Sequence, residues 1–204
     1  WDSAGSKSGS ARLRTVGRWD LLIRPTCHPM AKGEIVMGAL APHPPHLVYA
    51  ENPPQNEPVS EGGWEELRWG YERLRKSLAD KEFDVIIIHT PHWQTYVGTH
   101  FLGVPHFKNL SVDPIFPNLF RYSYDLTVDV ELSRAIHDHA AKAGLHVQMM
   151  ENPDFRIDYG TITSCHLVRP EWDIPIVCIS SNRSRSYFSV EVMQANMVKL
   201  GQAK

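Results

Sequence analysis

Three cysteines in 204 residues, Cys27, Cys165 and Cys178, are too few and too scattered for a disulfide framework. No two of them form a CxxC pair, which excludes a zinc ribbon, so they read as reduced thiols in a cytoplasmic protein. No apolar run approaches the ~18 residues of a membrane span. The short cluster Leu21-Leu22-Ile23 also falls below the length of a secretory apolar core. Charge of one sign is scarce as well. The formal net charge is −2 with no long basic or acidic run, so nothing recruits nucleic acid or an anionic membrane surface. An HExxH helix, the mark of many zinc hydrolases, is missing, and the chain has no internal repeat. What is present is ordinary globular composition, 42% hydrophobic and 22% charged, enough for one sizeable core.

The chain divides near Met30. Residues 1–29 are rich in Ser, Gly and Arg, begin with Trp and show no periodicity. Five basic residues (Lys7, Arg12, Arg14, Arg18, Arg24) against Asp2 and Asp20 leave +3 there. The 16 basic and 21 acidic residues that follow leave −5. This piece is expected to be a disordered leader or upstream segment with Met30 as the natural start. An Arg- and Ser-bearing transit peptide is the alternative.

Beyond Met30, strand and helix patterns alternate. Glu34–Leu40 is expected as a first strand. A helix is expected to open at Ser60-Glu61-Gly62-Gly63, with Trp64, Leu67, Tyr71, Leu74 and Leu78 at near-helical spacing. Asp84–His89 reads as a strand whose run Val85-Ile86-Ile87-Ile88 lacks alternation and suggests burial on both faces. Asp129 is placed to cap a helix through Leu132, Ala135, Ile136 and Ala140 that Gly144 stops. Leu145–Met150 and Pro175–Ser180 are expected strands, and Val190–Leu200 a last helix. Asn109–Asp125, broken by Asp113-Pro114-Ile115-Phe116-Pro117, is expected to be an irregular pocket wall, interface or surface loop. The pattern is α/β: a single domain around a mixed sheet with flanking helices.

Two segments carry the chemistry. Ala41-Pro42-His43-Pro44-Pro45-His46 follows the first expected strand, and His89-Thr90-Pro91-His92-Trp93 follows the second. Proline fixes φ and removes a donor, so imidazoles in such loops are held rather than left to search. Imidazole is the commonest protein ligand for iron and zinc. On the residues alone, any of the four histidines could be a ligand or a plain turn residue. Cys165 beside His166 suggests a nucleophile pair, but sequence neighbours rarely meet in that geometry.

With Asp158-Tyr159-Gly160-Thr161 added, these motifs resemble the class III extradiol ring-cleaving dioxygenases, in particular those acting on 2-aminophenol. Glu51–Pro58, Asp113–Tyr122 and Pro170-Glu171-Trp172-Asp173-Ile174-Pro175 support the likeness, which runs over about residues 32–185 in consistent order. The resemblance implies a non-haem Fe(II) held by two histidines and one carboxylate, with open positions for substrate and O2. It assigns the imidazole ligands to His43 and His92, leaving His46 and His89 as supporting or alternative ligands. It also implies that Tyr159 hydrogen-bonds the substrate and that Asp158 orients the Tyr159 loop. The implied reaction inserts O2 into 2-aminophenol or a related catechol-like aromatic, opening the ring beside its two heteroatoms. An α2β2 assembly with a paralogous subunit is the implied quaternary form. The family's Glu ligand and its acid–base His belong to a part of the fold beyond Lys204, so residues 30–204 are expected to be the N-terminal part of a catalytic domain, truncated at its C-terminus. The alternative is a non-catalytic paralogous subunit or a remnant of such an enzyme.

Overall fold

The computed structural model of the protein describes residues 33–49, 63–115, 117–118, 121–182 and 189–203. The leader, Glu51–Pro58 and Cys27 lie outside the described residues. One compact unit spans Val36–Lys204. A 3₁₀ turn, Pro45–Tyr49, is followed by α1 (Gly63–Leu78), β1 (Ile86–Thr95), β2 (Thr99–Leu102), β3 (His106–Val112) and β4 (Arg121–Thr127). Then come α2 (Val130–Lys142), β5 (Val147–Met150), α3 (Tyr159–Val168), β6 (Ile176–Asn182) and α4 (Val190–Ala203).

The main sheet has the order β1-β6-β2-β5. Its outer pairs β1–β6 and β2–β5 are parallel, and the contact between β2 and β6 is antiparallel, so the sheet is mixed as expected. Strand β6 is its spine. Ile176 and Cys178 enter one apolar cluster with Trp93, Phe107, Leu126, Ile157 and Ile162. Val177 and Ile179 enter a second, with Phe101, Ile136, Ala140 and Leu200. Period-two alternation therefore seats α3 and the β3–β4 hairpin on one face and α2 with α4 on the other.

The helix punctuation matches the sequence. Asp129 accepts the Leu132 amide at 2.9 Å as the cap of α2, and Gly144, at φ 81°, takes the left-handed position just past its end. Four expectations need correction. The expected strand Glu34–Leu40 pairs with no strand among the described residues, and Leu40 is left 98% exposed. The run Val85–Ile88 is not buried on both faces. Strand β1 ends the order of the described sheet, so Ile86 and Ile88 pack inward while Ile87 stays 37% exposed.

Asn109–Asp125 is not an irregular wall. Its flanks pair as the antiparallel β3–β4 hairpin, with Asn109 opposite Tyr124 and Val112 opposite Arg121. Tyr124 and Leu126 turn inward and Ser123 and Asp125 outward, an alternation that the prolines between the strands obscure. The segment around Tyr159 is a helix rather than a loop. Residues 159–168 carry no Asp, Glu, Lys or Arg, and such a helix survives only when buried all round, as α3 is.

Candidate metal and substrate site

Pro91 has no N–H to give to a ladder, and the β1–β6 register shifts between Thr90 and Gln94. That irregularity swings Pro91-His92-Trp93 out of the regular pairing. Trp93, 7% exposed, anchors in the core, and His92 is aimed across the sheet end. The opposing loop is held from α1 and α3. Tyr71 donates its hydroxyl to the Pro42 carbonyl at 2.6 Å, and Arg75 donates to the Leu167 carbonyl at 2.8 Å. Burial pushes the Tyr71 phenol up to about 12, so it stays a donor. Leu47 and Val48 bury the turn that follows.

These supports bring His43 and His92 together, with their Nε2 atoms 2.8 Å apart and their rings at 88°. His43 Nδ1 lies 2.7 Å from the Ala41 carbonyl. A carbonyl only accepts, so Nδ1 carries the proton and the Nε2 lone pair faces His92. This is the arrangement of a metal-binding imidazole whose second nitrogen is tied to backbone. Desolvation, then the neighbouring His43, lower the His92 pKa against the pull of Asp158 and Asp113, which favours its neutral form. Two nitrogen ligands ~2.1 Å from one metal and at right angles would lie ~3.0 Å apart, so the pair fits a shared ion.

Tyr159 stands over the pair, its ring centroid 4.2 Å from that of His92 and 6.4 Å from that of His43. Desolvation, then the charges of Asp113 and Asp158, raise its phenol pKa, which keeps the O–H available as a donor. Asp158 caps α3, accepting the Thr161 amide at 3.0 Å and the Thr161 hydroxyl at 2.7 Å. It therefore orients Tyr159 as the first residue of a helix.

His89 does not join the cluster. Adjacent strand residues point to opposite faces, and His89 Nε2 sits 3.3 Å from the Ser181 hydroxyl. The His46 side chain lies outside the described residues. Among the described residues no group of three His, Cys, Asp or Glu converges as a metal site, so no carboxylate completes the pair there. Cys165 is no nucleophile: burial pushes its thiol up to about 12, and His166 Nδ1 meets the Tyr122 hydroxyl at 2.9 Å.

Three further residues reach the site without a role read from the sequence, although Thr90 and Gly160 lie within the quoted motifs and Asp113 opens a third segment of the likeness. Thr90 is 2% exposed and donates to Asp158 at 2.8 Å. Asp113 is 3% exposed at the end of β3, and its charge reaches both His92 and Tyr159. Gly160 packs directly beneath the two imidazoles.

Residues 37–203 match the family model of the catalytic LigB subunit of aromatic ring-opening dioxygenase. The chain belongs to that family, within the class III extradiol ring-cleaving dioxygenases. It is 59% identical over 174 residues to the 2-aminophenol 1,6-dioxygenase beta subunit of a Pseudomonas species, covering 85% of this chain and 57% of that one. It is 23% identical over 150 residues to 3,4-dihydroxyphenylacetate 2,3-dioxygenase of Escherichia coli, covering 73% and 53%. It is 25% identical over 120 residues to the alpha subunit of the Pseudomonas 2-aminophenol enzyme, covering 58% and 44%. The chain thus spans about half the length of the curated relatives it matches.

Proposed function

We propose that the protein acts in extradiol cleavage of 2-aminophenol or a closely related catechol-like ring, with Fe(II) bound through His43 and His92. The observation that carries this is the facing of the two Nε2 atoms at 2.8 Å, with His43 Nδ1 tied to the Ala41 carbonyl. Two neutral imidazoles form a donor set suited to Fe(II), which a carboxylate completes in two-His-one-carboxylate sites. When bound there, the iron supplies a template and Lewis acid for the aromatic substrate and O2.

The chain's own residues do the rest. His43, with Nδ1 tied to the Ala41 carbonyl, presents its Nε2 lone pair, and the lowered pKa of His92, from desolvation first and then from His43, favours its neutral form. Tyr159 offers its O–H to a substrate heteroatom and its ring as a wall beside His92. Desolvation first, then the charges of Asp113 and Asp158, raise the pKa of that phenol. The identity to beta and alpha subunits of one dioxygenase supports pairing with a paralogous subunit.

The test is anaerobic Fe(II) loading of the full-length protein, with the expected carboxylate ligand included, and of its His43→Ala, His92→Ala double variant, read by metal analysis after desalting. Iron retained by the parent and lost from the variant is expected. Equal retention in both would overturn the assignment. A chain that binds no iron with both histidines intact would instead fit an iron-free paralogous subunit. Oxygen uptake with 2-aminophenol, measured beside catechol, then decides the substrate.

A further inference from the structure

Behind the two imidazoles lies a polar chain that reaches from the middle of β1 to the cap of α3. Thr90 Oγ1 is in the middle of it. It accepts the His92 backbone N–H at 3.2 Å and donates to Asp158 Oδ1 at 2.8 Å. Asp158 also accepts from the amide and hydroxyl of Thr161, and Thr161 is fully buried. One hydroxyl therefore joins the backbone of the strand residue carrying one imidazole to the carboxylate that starts the Tyr159 helix. The joint matters because the ladder cannot do the same work. Pro91 interrupts it, and the register shift leaves His92 without a regular partner on β6.

Gly160 closes the same joint from below. A Cβ built there would lie 2.6 Å from His92 Cδ2, 3.0 Å from His43 Cδ2 and 3.1 Å from Asp158 Oδ1. The first distance is far inside van der Waals contact. Both rings have neighbours that resist such a shift: His43 is held through Nδ1, and the His92 ring lies 4.2 Å from that of Tyr159 at a 43° tilt. Any side chain at 160 would push both rings away from the helix and change the spacing of their Nε2 atoms.

We propose that Thr90 and Gly160 are positioning residues for the metal-binding pair: Thr90 by tying His92 to Asp158, Gly160 by leaving the space into which both imidazoles settle. This inference rests on the reading of His43 and His92 as metal ligands. Neither Thr90 nor Gly160 is proposed to contact metal or substrate. Their effect is on the fixed 2.8 Å relation of the two nitrogens, which determines whether both can reach one ion.

The test titrates Co(II) alone into the metal-free protein, reading affinity and the visible ligand-field spectrum. The variants are Thr90→Val, Thr90→Ser, Gly160→Ala and, as the control for the ligand assignment, His43→Ala. Thr90→Val keeps the shape and removes the hydroxyl. It is expected to weaken Co(II) about 10- to 100-fold and shift the spectrum, the usual scale for outer partners of a ligand. Thr90→Ser restores the hydroxyl and is expected within about threefold of the parent. Gly160→Ala is expected to weaken binding at least as much as Thr90→Val.

A lowered melting temperature with unchanged affinity and spectrum in both Thr90→Val and Gly160→Ala would overturn the proposal, leaving them structural residues. Should Thr90→Val fail to fold, Thr90→Ala removes the same hydroxyl with a smaller side chain. Unchanged Co(II) affinity and spectrum in that variant would equally overturn the role of Thr90. If His43→Ala itself binds Co(II) like the parent, the ligand assignment fails, and the positioning proposal falls with it for a different and visible reason.

Discussion

The Tyr71 hydroxyl of α1 donates to the Pro42 carbonyl at 2.6 Å, fastening the residue before His43 to a helix 29 positions away. The loop has few other restraints of this kind. Its prolines stiffen it but donate no backbone hydrogen bonds. Tyr71 is 4% exposed, so the bond is largely shielded from water. Replacing it with phenylalanine removes the donor and keeps the ring. Tyr71→Phe is expected to cost about 1 kcal/mol of folding stability in urea denaturation. The loss of loop restraint should also weaken divalent-metal binding severalfold. A stability change without any change in metal binding would show that the bond serves the fold alone.

Much of the scaffold was legible because its signals are local. Asp129 and Gly144 punctuate α2, and the spacing of Leu67, Tyr71, Leu74 and Leu78 marks α1. The hairpin was not, because Pro114 and Pro117 sit between two strands whose alternation is clear only when β3 and β4 are read separately. Helix α3 escaped because a helix buried all round has no polar face to set a period. The histidines and Tyr159 could be singled out by resemblance. Thr90, Asp113 and Gly160 could not be singled out as parts of the site, because their roles arise only when β1, β3 and α3 meet in space. The expected strand at Glu34–Leu40 shows the converse limit. Among the described residues no strand pairs with it, and a suitable composition alone does not make a strand.

The two core thiols give a direct check of the inner face of α3. Cys165 and Cys178 are 3% and 0% exposed, and burial raises both thiols, Cys165 to about 12. Thiolate is the reactive form, so neither should alkylate at pH 8 in the folded protein. Peptide mapping after iodoacetamide is expected to find both unmodified under native conditions and both modified in denaturant. Native labelling of Cys165 at a rate like that of a free thiol would mean that α3 opens readily.

Acid should loosen the β3–β4 hairpin before it reaches the core. The Asp125 carboxylate pairs with Lys108 at 2.8 Å and with His106 at 2.6 Å, and Lys108 first and His106 second hold its pKa below the usual 3.8. A depressed carboxylate contributes stability that is present above its unfolded pKa and lost as pH falls through the folded one. The gain from Asp125 is therefore expected at pH 5 and should fade below about 3.8. Because the pair is solvent-exposed, salt should shrink it. Comparing the parent with Asp125→Asn across pH 5 to 2, at low and high salt, measures it. Parallel stability curves over that range would remove the ion pair from the account.

Tyr159 separates substrate binding from metal binding. Its ring lies 4.2 Å from that of His92, whereas its hydroxyl is the group proposed to meet substrate. Tyr159→Phe retains the stacking surface and removes only the O–H. Metal affinity is then expected to stay within about twofold. The apparent affinity for 2-aminophenol should fall about 3- to 10-fold, the value of one hydrogen bond in a partly dry site. Isothermal titration under anaerobic conditions, first with metal and then with substrate on the loaded protein, reads the two steps separately. If both affinities dropped together, the hydroxyl would be acting through His92 instead of on the substrate. If neither moved, the substrate would lie elsewhere, and the aromatic wall over the histidines would serve only to exclude water.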